Sequence, residues 1–184
     1  VVDTASGSAH LTDPLTGSIA YEFDSPKNEN RPRIDLSSDG RLLAATTIEP
    51  ANPGTSVINI WDITLDHRLK PLEPNLAAGT YLKFSPDGRY LVFLSQAGGF
   101  VYSTETWKPM GHLPYSIWYT GTIFLPHSTV LVFQTGVRFF LWDFEKNEYL
   151  ATFKQNNGAN IGRFSASADG RSLMAFYPRR AWLY

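Results

Sequence analysis

The sequence predicts an all-β fold assembled from repeated four-stranded antiparallel sheets, and three observations carry that expectation. The first is a hairpin signature: in Lys83-Phe84-Ser85-Pro86-Asp87-Gly88-Arg89-Tyr90-Leu91-Val92-Phe93-Leu94-Ser95 an apolar run stops at Ser-Pro-Asp-Gly and another begins two residues after the Gly. Proline presets φ for a tight turn, and Asp-Gly tolerates its unusual dihedrals. The second is recurrence of that turn at Ser38-Asp39-Gly40-Arg41 and Ala168-Asp169-Gly170-Arg171, with Leu125-Pro126-His127-Ser128 in the corresponding place between them. The third is a marker about twenty residues after the turn, Ile60-Trp61-Asp62-Ile63 and Leu141-Trp142-Asp143-Phe144, with weaker versions at Leu11-Thr12-Asp13-Pro14, Tyr102-Ser103-Thr104-Glu105 and Ala181-Trp182-Leu183.

Followed at its third residue, the marker falls at 13, 62, 104, 143 and 183. Such steps match the roughly 40–45 residues of a four-stranded β-propeller blade. The longer first step is expected to hold a loop, Glu49 to Ser56, rich in Pro and Gly. Blade one (33–72) then runs through Ile34-Leu36, Leu42-Thr47, Val57-Asp62 and Leu69-Leu72. Blade two (79–113) has Tyr81-Phe84, Tyr90-Ser95, Phe100-Ser103 and Pro109-Leu113, and blade three (119–153) has Gly121-Leu125, Val130-Gln134, Phe139-Asp143 and Tyr149-Phe153. An incomplete blade (160–184) begins with Ile161-Phe164, Ser172-Phe176 and Ala181-Leu183, while 1–23 read as the tail of an earlier blade, with strands at Val1-Ala5, Ala9-Thr12 and Ile19-Phe23. About four to five blades are thus represented in one propeller domain spanning 1–184.

The strand after the first of these hairpin signatures is apolar on both faces. Tyr90, Val92 and Leu94 alternate with Leu91, Phe93 and Ser95, as a strand sandwiched between neighbouring sheets requires. Trp61, Trp142 and Trp182 are expected at equivalent positions in the packing between blades, and Phe84, Phe124 and Phe164, at steps of 40, in one common layer.

Composition narrows the class. A chain of 184 residues, 43% hydrophobic and 18% charged, is long enough for a core and opposes disorder. A net charge of −1 gives no electrostatic footprint for nucleic acid or an anionic membrane. Cysteine is absent, so no disulfide or thiolate site exists. No apolar run approaches the roughly 20 residues of a membrane span, and Val1-Val2-Asp3-Thr4-Ala5 lacks a leader's basic and apolar regions. The expectation is a soluble, cytoplasmic protein or an excerpt from a longer chain.

With Trp61-Asp62 and Trp142-Asp143 matching its end-of-strand dipeptide, the chain resembles the WD-repeat β-propellers over nearly its whole length. That resemblance implies a non-catalytic scaffold that presents a loop face to a protein or peptide. The family often carries a Gly-His before its first strand, part of a buried network. The sole Gly-His of this chain, Gly111-His112, falls instead inside a fourth strand. The runner-up function also rests on resemblance: Ser-Pro-Asp-Gly-Arg hairpins are similar to those of propellers that gate serine oligopeptidases, where a separate hydrolase domain does the chemistry.

No Gly-x-Ser-x-Gly, His-Glu-x-x-His or phosphate-binding glycine loop is present, and His10, His67, His112 and His127 are scattered singly, so no catalytic residue, cofactor or metal is expected. Asp39-Gly40, Asp87-Gly88 and Asp169-Gly170 belong to turns, their carboxylates bonding amides two residues on, and Asp62 and Asp143 are assigned a like role. The candidate partner residues are those that break the repeat: Tyr115, Trp118 and Tyr119 between blades two and three, Arg31 and Arg33 before blade one, and Tyr177, Arg179 and Arg180. Propeller topology brings these connections to one face, and aromatics with arginines are the composition of interaction hot spots. Binding of nucleic acid by the same residues is the lesser reading. The blades left open at the two ends call for cover, by further blades, by a second copy, or by Ile19-Phe23 closing a small four-bladed ring as its missing strand.

Overall fold

The computed structural model describes residues 8–12, 15–24, 33–49, 52–65, 67–77, 79–113, 122–135, 138–154, 163–177 and 180–183. Within each sheet every strand pairs antiparallel with the next in sequence, so every sheet is a meander. The first full sheet, blade one, orders β3 (Ile34–Leu36), β4 (Leu42–Glu49), β5 (Asn52–Asp62) and β6 (His67–Arg68). Blade two comprises β7 (Gly79–Phe84), β8 (Tyr90–Ser95), β9 (Gly98–Ser103) and β10 (Pro109–Leu113). Blade three comprises β11 (Thr122–Phe124), β12 (Val130–Thr135), β13 (Arg138–Asp143) and β14 (Glu148–Lys154). A three-stranded sheet, β15 (Arg163–Ala166), β16 (Leu173–Tyr177) and β17 (Arg180–Leu183), follows, and β1 (Ser8–Thr12) with β2 (Ile19–Asp24) precedes them all.

The core lies between sheets rather than within one. All six residues of β8 are buried, because alternate side chains enter different layers. Tyr90, Val92 and Leu94 pack with Leu131, Phe133, Trp142 and Phe144 of blade three, whereas Leu91 and Phe93 pack with Leu42, Ala44, Ile58 and Ile60 of blade one. Val132 and Phe139 repeat the arrangement against Leu173. Neighbouring sheets approach most closely along their first strands, β3 beside β7 and β11 beside β15, so these are the innermost. The architecture is a β-propeller.

Polar contacts join the same blades. Asp35 on β3 accepts the Phe84 amide at 2.7 Å and the Lys83 ammonium at 2.6 Å. The Tyr81 hydroxyl donates to the Thr122 carbonyl at 2.7 Å, and the Tyr90 hydroxyl to Glu145 at 2.5 Å. Burial, and then the nearby Asp35 charge, push the Tyr81 phenol up to about 12, so it stays a donor across the physiological range.

The hairpin β1–β2 is built like the outer half of a blade. Thr12, Tyr102 and Trp142 pair with Ile19, Pro109 and Tyr149, and two residues before each of those partners stands a residue at positive φ: Gly17, Trp107 and Asn147. β1 and β2 therefore correspond to a third and a fourth strand. Val1 to Ala5 lie outside the described residues. β2 pairs with β1 in a separate sheet, and β15–β16–β17 has three strands, so Ile19–Phe23 are not the fourth strand that a small closed ring needs.

Pairing corrects three expectations of register. Leu43, Leu91 and Leu131 pair with Trp61, Tyr102 and Trp142, which makes these equivalent, whereas Trp182 pairs with Ala175 and falls two positions short of that place. Likewise Phe84 and Phe124 directly precede their turns and pair with Leu91 and Leu131, but their counterpart opposite Leu173 is Ala166, two residues beyond Phe164. The turn sets register, and a fixed step of 40 drifts when a connection upstream changes length. For the same reason Ser103, one residue before Thr104, aligns with Asp62 and Asp143.

The expected loop from Glu49 to Ser56 is also corrected. β4 and β5 extend through it, with Ile48 opposite Ser56 and Glu49 opposite Asn52 across a register shift. Pro53, which has no N–H to give, sits beside that irregular tip, where a missing donor costs the ladder least. The fourth strand, expected at Leu69–Leu72, stands instead at His67–Arg68. Beyond it the chain keeps touching β5 in single bridges, with Leu72 and Ile58 exchanging backbone bonds of 2.8 and 2.9 Å and the Ser56 amide reaching the Leu76 carbonyl at 2.9 Å.

Gly111, on the outer strand of blade two, lies against blade three so closely that a Cβ would sit 2.7 Å from the Phe144 carbonyl and 2.8 Å from the Trp142 ring. Gly111→Ala is expected to lower stability by about 1–3 kcal/mol through overpacking, read as a lower urea midpoint with m little changed. Gly54→Ala, whose nearest neighbour would be 3.8 Å away, serves as the neutral control.

Candidate binding face

The turns between first and second strands share one clamp. In three of them a serine hydroxyl donates to the aspartate two residues on: Ser37 to Asp39 at 2.6 Å, Ser85 to Asp87 at 2.6 Å and Ser167 to Asp169 at 2.5 Å. The same hydroxyl accepts the amide that opens the second strand, from Leu42, Tyr90 and Ser172 at 2.8 to 2.9 Å. The aspartate then accepts the amide two residues further, from Arg41, Arg89 and Arg171 at 3.0 to 3.1 Å. Gly40, Gly88 and Gly170 close the loop at φ of 74°, 73° and 68°, a region that favours glycine.

Blade three departs from this pattern. Leu125 replaces the serine and His127 the aspartate, and His127 itself takes the positive φ, 56°. Ser128 supplies the missing hydroxyl from the other side, donating to the Leu125 carbonyl at 2.9 Å and accepting the Val130 amide at 3.2 Å. The hairpin is kept, and a carboxylate is exchanged for an apolar residue and an imidazole.

Asp62 and Asp143 tie the third-strand ends to these turns. Asp62 accepts from the Thr64 hydroxyl at 2.7 Å and the Thr64 amide at 3.2 Å, and its other oxygen meets the Arg41 guanidinium at 2.8 Å. Asp143 accepts the amides of Glu145 and Lys146 at 3.2 Å and the Thr129 hydroxyl at 3.0 Å. In blade two Ser103 caps the loop, and the Thr104 hydroxyl reaches the Gly88 carbonyl at 2.7 Å. Both turns of blades one, two and three therefore lie on one face and are held together.

These bonds settle the charge state. Asp39, Asp62 and Asp169 are lowered below the usual carboxylate range, chiefly by Ser37, Arg41 and Ser167 respectively. For Asp87 and Asp143 burial opposes ionisation, yet Ser85 and Arg89, and the Lys146 amide with Thr129, outweigh it. Carboxylates so committed are poor general acids near neutral pH.

Between three consecutive turns opens a cleft of about 280 Å³. Its walls come from Ser85, Pro86 and Asp87 of blade two, Phe124 to Ser128 of blade three, and Ala168 of the next. The three-stranded sheet β15–β16–β17 leans directly on blade three here, since a Cβ on Gly170 would stand 2.5 Å from the Pro126 carbonyl. The lining hydroxyls of Ser85 and Ser128 already spend their bonds within the turns, which leaves largely apolar walls with the exposed His127 at the edge.

Of the residues singled out in the sequence, Arg33 and the backbones of Tyr177 and Arg180 are described, and they stand at the strand ends away from these turns. Tyr115, Trp118, Tyr119, Arg31 and Arg179 lie outside the described residues, as do the side chains of Tyr177 and Arg180, whose backbones pair across the β16–β17 hairpin. Arg33 is exposed, and its amide donates to the Thr46 hydroxyl at 2.8 Å. Sequence reasoning missed the cleft. Its signal was the break in the turn pattern at Leu125-Pro126-His127-Ser128, legible as a substitution but not as a wall. Gly111-His112 lies within β10, where Gly111 gives close approach and His112 stacks on Phe100 at 4.6 Å.

No family model matches the chain, and neither does any curated protein. Among solved structures it is similar to the Dos1 propeller, with a TM-score of 0.71 and 14% identity over 99% of this chain. The chain spans 48% of that protein's length. At this identity the likeness shows the fold alone.

Folded-state carboxylate pKa values below the unfolded value of about 3.9 mean that the stability they add is present above that pH and is lost as pH falls through the lower folded values. Asp62→Asn is therefore expected to lower the urea midpoint at pH 7, and the gap from the unsubstituted protein is expected to close in strong acid. An equal gap at both pH values would show that the lost bonds, rather than charge, set the difference.

Proposed function

We propose that the chain is a WD-repeat-type propeller acting as a non-catalytic interaction module, whose turn-bearing face holds a protein or peptide partner. The observation that carries this reading is the cleft between the turns of three consecutive blades. Its lining is fixed before any partner arrives, since each described turn is closed by side-chain hydrogen bonds, and a preformed site loses little ordering entropy on binding. The WD character is supported by Asp62 and Asp143, which follow Trp61 and Trp142 at third-strand ends and cap the loops there.

Further blades or a second copy form a second class of partner. Leu36 on blade one is 40% exposed, while its equivalents Phe84 and Phe124, each covered by a preceding blade, are 4% and 6%. Trp61 on the same face is only partly buried, with the Arg68 guanidinium 5.7 Å over its ring.

The two faces are separable by affinity capture from the source cell, followed by titration of each purified hit against the protein. Pro126→Glu with Ala168→Glu is expected to weaken at least one saturable partner tenfold or more, with the thermal midpoint kept. Tyr115, Trp118, Arg179 and Arg180 changed together to Ala should leave that partner bound. Loss only with the second set moves the function to the opposite face, and loss with neither overturns the reading.

A further inference from the structure

The cleft is asymmetric in charge. On the blade-two side, the second Asp87 oxygen is neutralised by the Arg89 guanidinium at 2.7 Å. On the far side Asp169, next to the lining Ala168, spends one oxygen on Ser167 and the Arg171 amide, and its Oδ2 has no protein partner among the described residues. Between the two the repeat would have placed a third carboxylate, and the sequence places Leu125 and His127 instead. An apolar hollow thus stands beside one exposed, uncompensated anion.

We propose that this cleft takes one bulky apolar side chain of an extended peptide, with an adjacent Lys or Arg of that peptide pairing with Asp169. The inference rests on the interaction-module reading and names its ligand. The volume supports a side chain rather than a larger molecule, since about 280 Å³ lies just below the roughly 300–1,000 Å³ range of small-molecule pockets. Pro86, Phe124, Leu125 and Pro126 give the hollow apolar walls, and the two prolines bring no N–H that a ligand must satisfy. An anionic side chain at the neighbouring position would meet Asp169 and be repelled. An exposed pair of this kind adds selectivity more than affinity.

The test is a ¹⁵N NMR titration of the full chain with three synthetic acetylated, amidated hexapeptides: Gly-Ser-Phe-Arg-Ser-Gly, the same with Ser for Phe, and the same with Glu for Arg. The first is expected to bind at millimolar or better affinity, with shifts confined to amides of 85–89, 125–130 and 167–171. The Ser probe should bind at least fivefold more weakly and the Glu probe at least threefold. Asp169→Asn, which keeps the oxygen that closes the turn, should erase the difference between Arg and Glu probes, and that difference should shrink at high salt. Shifts elsewhere, or equal affinity for all three probes, overturn the inference while leaving partner capture on this face to stand or fall separately. Loss of the partner from Pro126→Glu with Ala168→Glu, combined with no probe binding, likewise overturns the ligand assignment and keeps the face.

Discussion

A sheet that is apolar on both sides cannot stand alone, and this constraint governs the molecule. β8 has no solvent face, so blade two is stable only while blades one and three cover it. Everything else serves that sandwiching. First strands converge, Gly111 lets backbone approach ring, and Asp35, Tyr81 and Tyr90 spend their polar atoms on the neighbouring blade. Trp142 is almost wholly buried because blade two lies over it, whereas Trp61, at the equivalent position, is only partly buried.

The turn-bearing face has most of its polar chemistry already committed. On the turn-bearing face, each recurrent aspartate is tied to a serine, threonine or arginine within its own blade. Such a surface is rigid and largely self-satisfied, so its selectivity must come from places where the pattern lapses. Blade three supplies that lapse with Leu125 and His127. The same exchange that removes a carboxylate also moves the positive φ of the turn from the glycine position onto His127.

Much of the fold was legible in the sequence because turn chemistry is local. Ser85-Pro86-Asp87-Gly88 states its own conformation, and the alternation in 90–95 states its own burial. Register across blades was less legible, since it depends on the length of every connection, and Phe164 and Trp182 show the slip. The Glu49 to Ser56 stretch looked like a loop because Pro and Gly weaken strands on average. The tertiary backing from 72–77 overrode that preference. The cleft was illegible for a different reason: three turns far apart in sequence make it, and no one of them carries its shape.

The described hydrogen bonds between blades connect each only to the next, and the longest in sequence, from Tyr90 to Glu145, spans 55 residues. Assembly on the ribosome can therefore be vectorial. Blade one gains its cover as soon as blade two has emerged, while blade three is still being made, and each later blade seals the one before it. Between the described blades, no sheet waits for a distant partner to cover the face it turns toward its successor.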